Sequence, residues 1–140
     1  MNATDLMIGD WLYYRGKFNA FPFKVEQITK KKVGYHPDPD SNVMAYLRLN
    51  EEITPIPLTK EILEVNGFRF NVEETNGPIQ QIYNHYTEFF DFPLGEGFSI
   101  EHNTENNVFW ITDHVFISFK YVHELQHVLK LCGISKKVII

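Results

Sequence analysis

The chain has 140 residues, 44% hydrophobic and 15% aromatic, and a formal net charge of −5. This is enough for one domain with a real core, or for two small lobes sharing one, and it excludes disorder as the dominant state. The acidic balance argues against a whole-surface partnership with nucleic acid or an anionic membrane, and no apolar run approaches the roughly 18 residues that span a bilayer.

The opening Met1–Asp10 has neither the basic region nor the apolar run of a signal peptide, so a cytoplasmic location is expected. Residues 1–57 read as β-rich. Gly9-Asp10 makes a turn before an aromatic strand ending at Tyr14. Phe23–Thr29, Lys32–Tyr35, Val43–Leu49 and Ile53–Ile56 are further short strands. His36–Asp40 is a loop, because Pro37 and Pro39 cannot donate to a ladder. Several short strands with turns between them predict a strongly bent sheet or SH3-like barrel.

Residues 58–140 form the second part of the same compact unit. Leu58–Gly67 is a short helix, with Thr59 as its cap, Leu58 and Leu63 as a hydrophobic staple and Gly67 after its end. Phe68–Glu73 alternates as a half-buried strand does. Ile79–Phe92 is read as mostly strand and Pro93–Gly97 as a turn. Phe98–His102 and Val108–Thr112 make a hairpin, and Asp113-His114 turns the chain into Val115–Phe119. Lys136–Ile140 returns as an edge strand guarded by its lysines. The fold class is therefore α+β: a β-rich lobe, a short helix, an antiparallel meander and a C-terminal helix packed on it.

That last helix, Tyr121–Cys132, carries the clearest pattern in the chain. At 100° per residue Val122, Leu125, Val128, Leu129 and Cys132 share an apolar stripe, which predicts burial for all five. Gly133 suits the left-handed position after a helix, with Ile134 folding back towards Leu129. Cys132 is the only cysteine, so no intramolecular disulfide forms. His123 and His127 fall opposite the stripe and are expected to face solvent.

His123, Glu124 and His127 spell H-E-x-x-H, the pattern in which two imidazoles bind zinc and the glutamate activates a water. A catalytic zinc takes three protein ligands, and nothing after His127 is His, Asp or Glu. Lys130 also stands where the metzincin continuation needs glycine. Only His114, Asp113 or His102 upstream is left to complete a site. The expectation is a solvated helix face with no metal, no cofactor and no catalytic residues; a zinc-dependent hydrolase is the rival.

Other constellations are weaker. Lys30-Lys31-Lys32, near Phe23 and Tyr35, suits a nucleic-acid-binding barrel but reads better as a solvated hairpin tip. Asp38 and Asp40 lack the spacing of a calcium loop. Asp113-His114 lacks a nucleophile. Tyr13, Tyr14, Phe18, Phe21, Tyr83, Tyr86, Phe89 and Phe90 fill a core or, if exposed together, make a protein-binding patch.

Three blocks carry a resemblance: D-L-M-I-G-D-W near the start, P-I-P-L-T-K-E-I-L-E-V-N-G-F in the middle and Y-V-H-E-L-Q-H near the end. Together they resemble a family of small uncharacterised proteins encoded in Bacteroidetes genomes, often near phage or mobile-element genes. In that family the closing helix often reads V-H-x-L-Q-N, which keeps the counterparts of His123 and Gln126 but not of His127. The resemblance implies that no zinc dyad is needed. It leads to the expectation of a non-enzymatic protein-interaction or accessory protein of phage or mobile-element origin, with a protein partner, no membrane and no nucleic acid.

Overall fold

A computed structural model describes residues 1–50, 52–77, 86–92, 98–112 and 114–140, with the backbone alone for 114–116. The expected turn at Pro93–Gly97, Asp113 and the segment 78–85 lie outside the described residues. The fold is α+β. Contacts divide the chain into two units, Met1–Pro57 with Tyr121–Val128, and Leu58–Lys120 with Leu129–Ile140.

The first unit holds β1 (Trp11–Arg15), β2 (Ala20–Lys24), β3 (Gln27–Ile28), β4 (Lys32–Tyr35), β5 (Ala45–Arg48) and β6 (Ile53–Pro55). These make two antiparallel three-stranded sheets, ordered β2-β1-β6 and β3-β4-β5. Period-2 alternation turns Leu12, Phe23, Val33, Leu47 and Ile53 inward, where they form one core with Leu6, Val25 and Leu49. Each such side chain contributes about 1.5–3 kcal/mol by leaving water.

The expected single strand Phe23–Thr29 is broken at Val25-Glu26. The Val25 N–H donates to Asp10 O at 2.9 Å and its carbonyl accepts from Gly9 N at 2.7 Å, whereas Glu26 N donates to Gly34 O at 2.9 Å. One residue bonds into the β1 side and the next bonds to β4, so the chain changes sheets there. This is the bend of the bent-sheet lobe.

The second unit holds α1 (Lys60–Val65), β7 (Arg69–Phe70), α2 (Val72–Asn76), β8 (Thr87–Asp91), β9 (Ser99–Asn103), β10 (Val108–Ile111) and β11 (His114–Phe119). The five strands form one antiparallel meander in the order β11-β10-β9-β8-β7. Thr59 Oγ1 caps α1 by accepting from Ile62 N at 3.2 Å, Leu58 and Leu63 are fully buried, and Gly67 takes φ +88°. Phe68, Phe92 and Phe98 pack ring to ring with centroids 4.9–6.5 Å apart.

Two expectations fail in this unit. Phe68–Glu73 is strand only at Arg69–Phe70, because the Asn71 side chain accepts from Glu74 N at 2.9 Å and starts α2 instead. Lys136–Ile140 joins no sheet. It is held by Asn66, fully buried, whose amide donates to Ile139 O at 2.7 Å and accepts from Ile139 N at 2.8 Å. One side chain thus binds both the N–H and the carbonyl of Ile139.

The last helix, α3 (Val122–Leu131), begins in the first unit and ends in the second. Gly133 takes φ +73°, and Ile134 N donates to Leu129 O at 2.9 Å while Gly133 N donates to Lys130 O at 3.1 Å. These two hydrogen bonds satisfy the carbonyls of Leu129 and Lys130 in the last turn. Val122, Leu125, Val128 and Leu129 are buried, but Cys132 is exposed, since it lies past the final helical residue. Among the described residues no helix is long and apolar enough to cross a membrane.

Candidate functional site

The H-E-x-x-H residues lie in the first unit, with His123 buried and Glu124 and His127 half-buried. Val122 N donates to Ile56 O at 2.9 Å, which fixes where α3 starts. From there Gln126 reaches the Gly9–Trp11 turn, donating to Gly9 O at 2.8 Å and accepting from Trp11 N at 2.9 Å. Gly9 makes this possible with φ +97°, which presents its carbonyl at the turn.

Asp10 is 2% exposed. Its Oδ2 accepts from Met7 N at 2.8 Å, and His127 Nε2 lies 2.9 Å from both carboxylate oxygens. A carboxylate only accepts, so Nε2 carries the proton of that bond. A buried carboxylate is tolerated where it is hydrogen-bonded, and Asp10 accepts from both Met7 N and His127 Nε2.

His123 is 6% exposed, and its Nδ1 is buried with no hydrogen-bond partner among the described residues. Its ring stacks on Tyr121 at 6.0 Å and meets the edge of His127 at 5.7 Å. Burial holds its pKa below the ordinary imidazole value against the opposing charges of Asp10, Glu124 and Asp5, with His127 adding to the depression. His123 is therefore a neutral, packed imidazole at neutral pH.

Glu124 Oε2 accepts from Tyr121 N at 3.1 Å, as the glutamate of a capping box does. The residue placed to activate a metal-bound water instead caps the helix that carries it. Among the described residues no group of three or more His, Cys, Asp or Glu is arranged to hold a metal. His102 has its own partners in the second unit, stacking on Phe109 at 4.1 Å with Nε2 2.8 Å from Asn107 Oδ1. Asp113 and the His114 side chain are not among the described atoms.

The expectation that His123 and His127 are solvated is thus corrected. Both stripes of α3 are covered in its first turns, because the Gly9–Trp11 turn brings polar partners to the polar side. Asp10 and Gln126 make that match, and sequence reading missed both. Gly9-Asp10 carries the signal of a turn, but nothing local ties it to a residue 117 positions away.

The first unit also holds a cleft of about 530 Å³ lined by Trp11, Phe21, Phe23, Lys24, Glu26, Tyr35 and His36, with Asn19, Pro22 and Pro37 at its sides. Three of its rings form a ridge that Tyr14 extends beyond the cleft: Tyr14 to Phe21 at 5.0 Å, Phe21 to Tyr35 at 5.8 Å and Tyr35 to Phe23 at 5.1 Å, all tilted. Phe23 is buried in the core, while Trp11, Tyr14, Phe21 and Tyr35 are half-exposed. Burial also raises the Tyr35 phenol pKa, and Tyr14 adds to the rise.

Two charged groups and a histidine border the rings. Lys24 Nζ lies 5.3 Å from the Trp11 ring centre, and His36 Nδ1 pairs with Glu26 Oε2. At the tip of the β1–β2 hairpin Phe18 is 91% exposed, one residue from Asn19 of the cleft wall. The aromatic residues singled out in the sequence therefore divide. Tyr14 and Phe21 join the ridge, and Tyr13 lines a smaller cleft of about 270 Å³ with Arg15 and Pro55. In the second unit Phe89 and Phe90 are buried and Tyr86 is exposed. Tyr83 lies outside the described residues. Lys30, Lys31 and Lys32 are exposed on the β3–β4 hairpin, whose turn Thr29 N closes onto Lys32 O at 2.8 Å.

No family model, curated protein or solved structure matches this chain.

Proposed function

We propose that the chain is a non-enzymatic protein-interaction protein that takes its partner on the aromatic cleft of the bent-sheet unit. The observation that carries this reading is the ridge of half-exposed rings beside a fully solvated Phe18. Apolar rings left in water cost free energy that a partner recovers, and aromatic residues are enriched where proteins meet. The H-E-x-x-H residues favour the same reading, because His123 is packed, Glu124 caps α3 and His127 holds Asp10. The resemblance to a mobile-element family suits an accessory role in the cytoplasm.

The test is a comparison of cytoplasmic capture by the natural chain and by a Phe18→Ala/Phe21→Ala variant with a matched melting temperature. Both positions are exposed or half-exposed, so folding should survive. A partner retained by the natural chain and lost by the variant is expected. An identical set of captured proteins from both would overturn the reading.

A further inference from the structure

The chain has two Asn-Gly pairs, Asn66-Gly67 and Asn76-Gly77, both in the second unit. Such a pair reacts with itself. The glycine nitrogen attacks the asparagine Cγ, and a new C–N bond closes a five-membered succinimide. The side-chain nitrogen leaves as ammonia, taking up the proton of the glycine N–H. Water then opens the ring at either carbonyl and leaves isoaspartate or aspartate. Glycine favours the attack because no side chain shields its nitrogen. The reaction needs a free side-chain amide, a free N–H and a backbone able to turn one towards the other.

Asn66 meets none of these needs. It is fully buried, and its amide donates to Ile62 O at 2.8 Å and to Ile139 O at 2.7 Å while accepting from Ile139 N at 2.8 Å. The Gly67 N–H is also engaged, donating to Glu64 O at 3.0 Å.

Asn76 meets all three. It is exposed, and neither its side chain nor the Gly77 N–H has a hydrogen-bond partner among the described residues. It is the last residue of α2, a helix of five residues. The end of so short a helix frays easily, which frees the backbone to bring N to Cγ. The fold itself demands the glycine, because a Cβ at position 77 would run into the Glu73 carbonyl oxygen.

Conversion would act on the helix. Two bonds tie α2 to β8: Asn71 N donates to Phe89 O at 2.8 Å, and Phe89 N donates to Thr75 Oγ1 at 3.0 Å. Thr75 directly precedes the reactive residue. Isoaspartate adds a methylene to the main chain at that point. Either product sets a carboxylate at the negative end of the helix, three residues after Glu73. We propose that Asn76 is a self-modification site, that the fold spares Asn66, and that conversion of Asn76 loosens α2 from β8.

The full chain is held at mildly alkaline pH and physiological temperature, folded or in urea, and both positions are followed by peptide mass spectrometry. In the folded chain isoaspartate is expected at position 76, with conversion at 66 slower by about tenfold or more, since Asn66 reacts only after local opening. In urea the two should convert at similar rates. An unchanged Asn76 in the folded chain, or equal rates at both positions there, would overturn the assignment. An Asn66 that stays intact in urea would do the same, because its protection would not come from the fold. Aspartate without isoaspartate would rule out the succinimide. The converted chain, separated by its added charge, should exchange the Phe89 amide proton faster than an Asn76→Gln chain incubated beside it. Equal exchange would overturn the loosening of α2.

Discussion

Asp10 shows how much one side chain organises. A carboxylate at 2% exposure is costly unless paired, and its partners come from the turn before it and from α3. Removing the carboxylate leaves the Met7 N–H and the His127 Nε2–H without their acceptor. Asp10→Ala is therefore expected to cost about 1–3 kcal/mol, the range for leaving buried hydrogen-bond donors unsatisfied. Urea unfolding measures it, and a cost below about 1 kcal/mol, the range of a solvated pair, would show that the pair is not structural. His123 adds a pH dependence. Its folded pKa is depressed, so the unfolded chain takes up the proton first as pH falls. The stability it contributes is complete above the unfolded value of about 6.5 and declines as the pH drops below it. Unfolding at pH 7.5 and pH 5.5 should show this decline in the natural chain and a smaller one in His123→Gln. An equal decline in both would rule out His123 as its source.

At the scale of elements, local chemistry was readable and long-range polar chemistry was not. Thr59, Gly67 and Gly133 announce helix ends because caps and left-handed positions are decided within a few residues. The meander and the β3–β4 hairpin follow from alternation and turns. The polar side of α3 misled, because a helical wheel reports polarity and not whether a polar partner covers it. Cys132 misled in another way: the stripe it continues outlasts the helix. The tail Lys136–Ile140 reads as an edge strand from its apolar end and guarding lysines, yet it joins no sheet, and the Ile139 peptide is bound by the side chain of Asn66. No pattern of alternating residues encodes that substitution. Asn66→Ala should cost about 2–3 kcal/mol, by leaving the peptide groups of Ile139 and the Ile62 carbonyl without a side-chain partner. Hydrogen exchange at the Ile139 amide reports it directly. Fast exchange in the variant against slow exchange in the natural chain is expected, and no change would show that Asn66 does not hold the tail.

For the whole molecule, the two readings that compete with protein interaction make opposite demands on charge and metal. Nucleic-acid affinity depends on released counterions, and a chain of net charge −5 with Lys30–Lys32 as its main exposed cluster releases few. Binding to mixed DNA or RNA should be weaker than about micromolar at physiological salt, and a tighter, steeply salt-sensitive complex by anisotropy would contradict this. The zinc reading is separated from the structural one by a thermodynamic cycle. If His127 works through Asp10, then Asp10→Asn and His127→Gln each destabilise the chain, and the double variant loses less than the sum. The coupling should be about 0.5–3 kcal/mol, as for residues in contact. Because the partner is a carboxylate, chelator should alter neither the melting temperature nor the coupling. If His127 instead holds zinc, chelator lowers the melting temperature of the natural chain, and His127→Gln abolishes that response. A cycle with no coupling, beside a melt that collapses in chelator, would return H-E-x-x-H to metal chemistry. A coupled, chelator-insensitive pair would place His127 and Asp10 among the contacts that build the first unit.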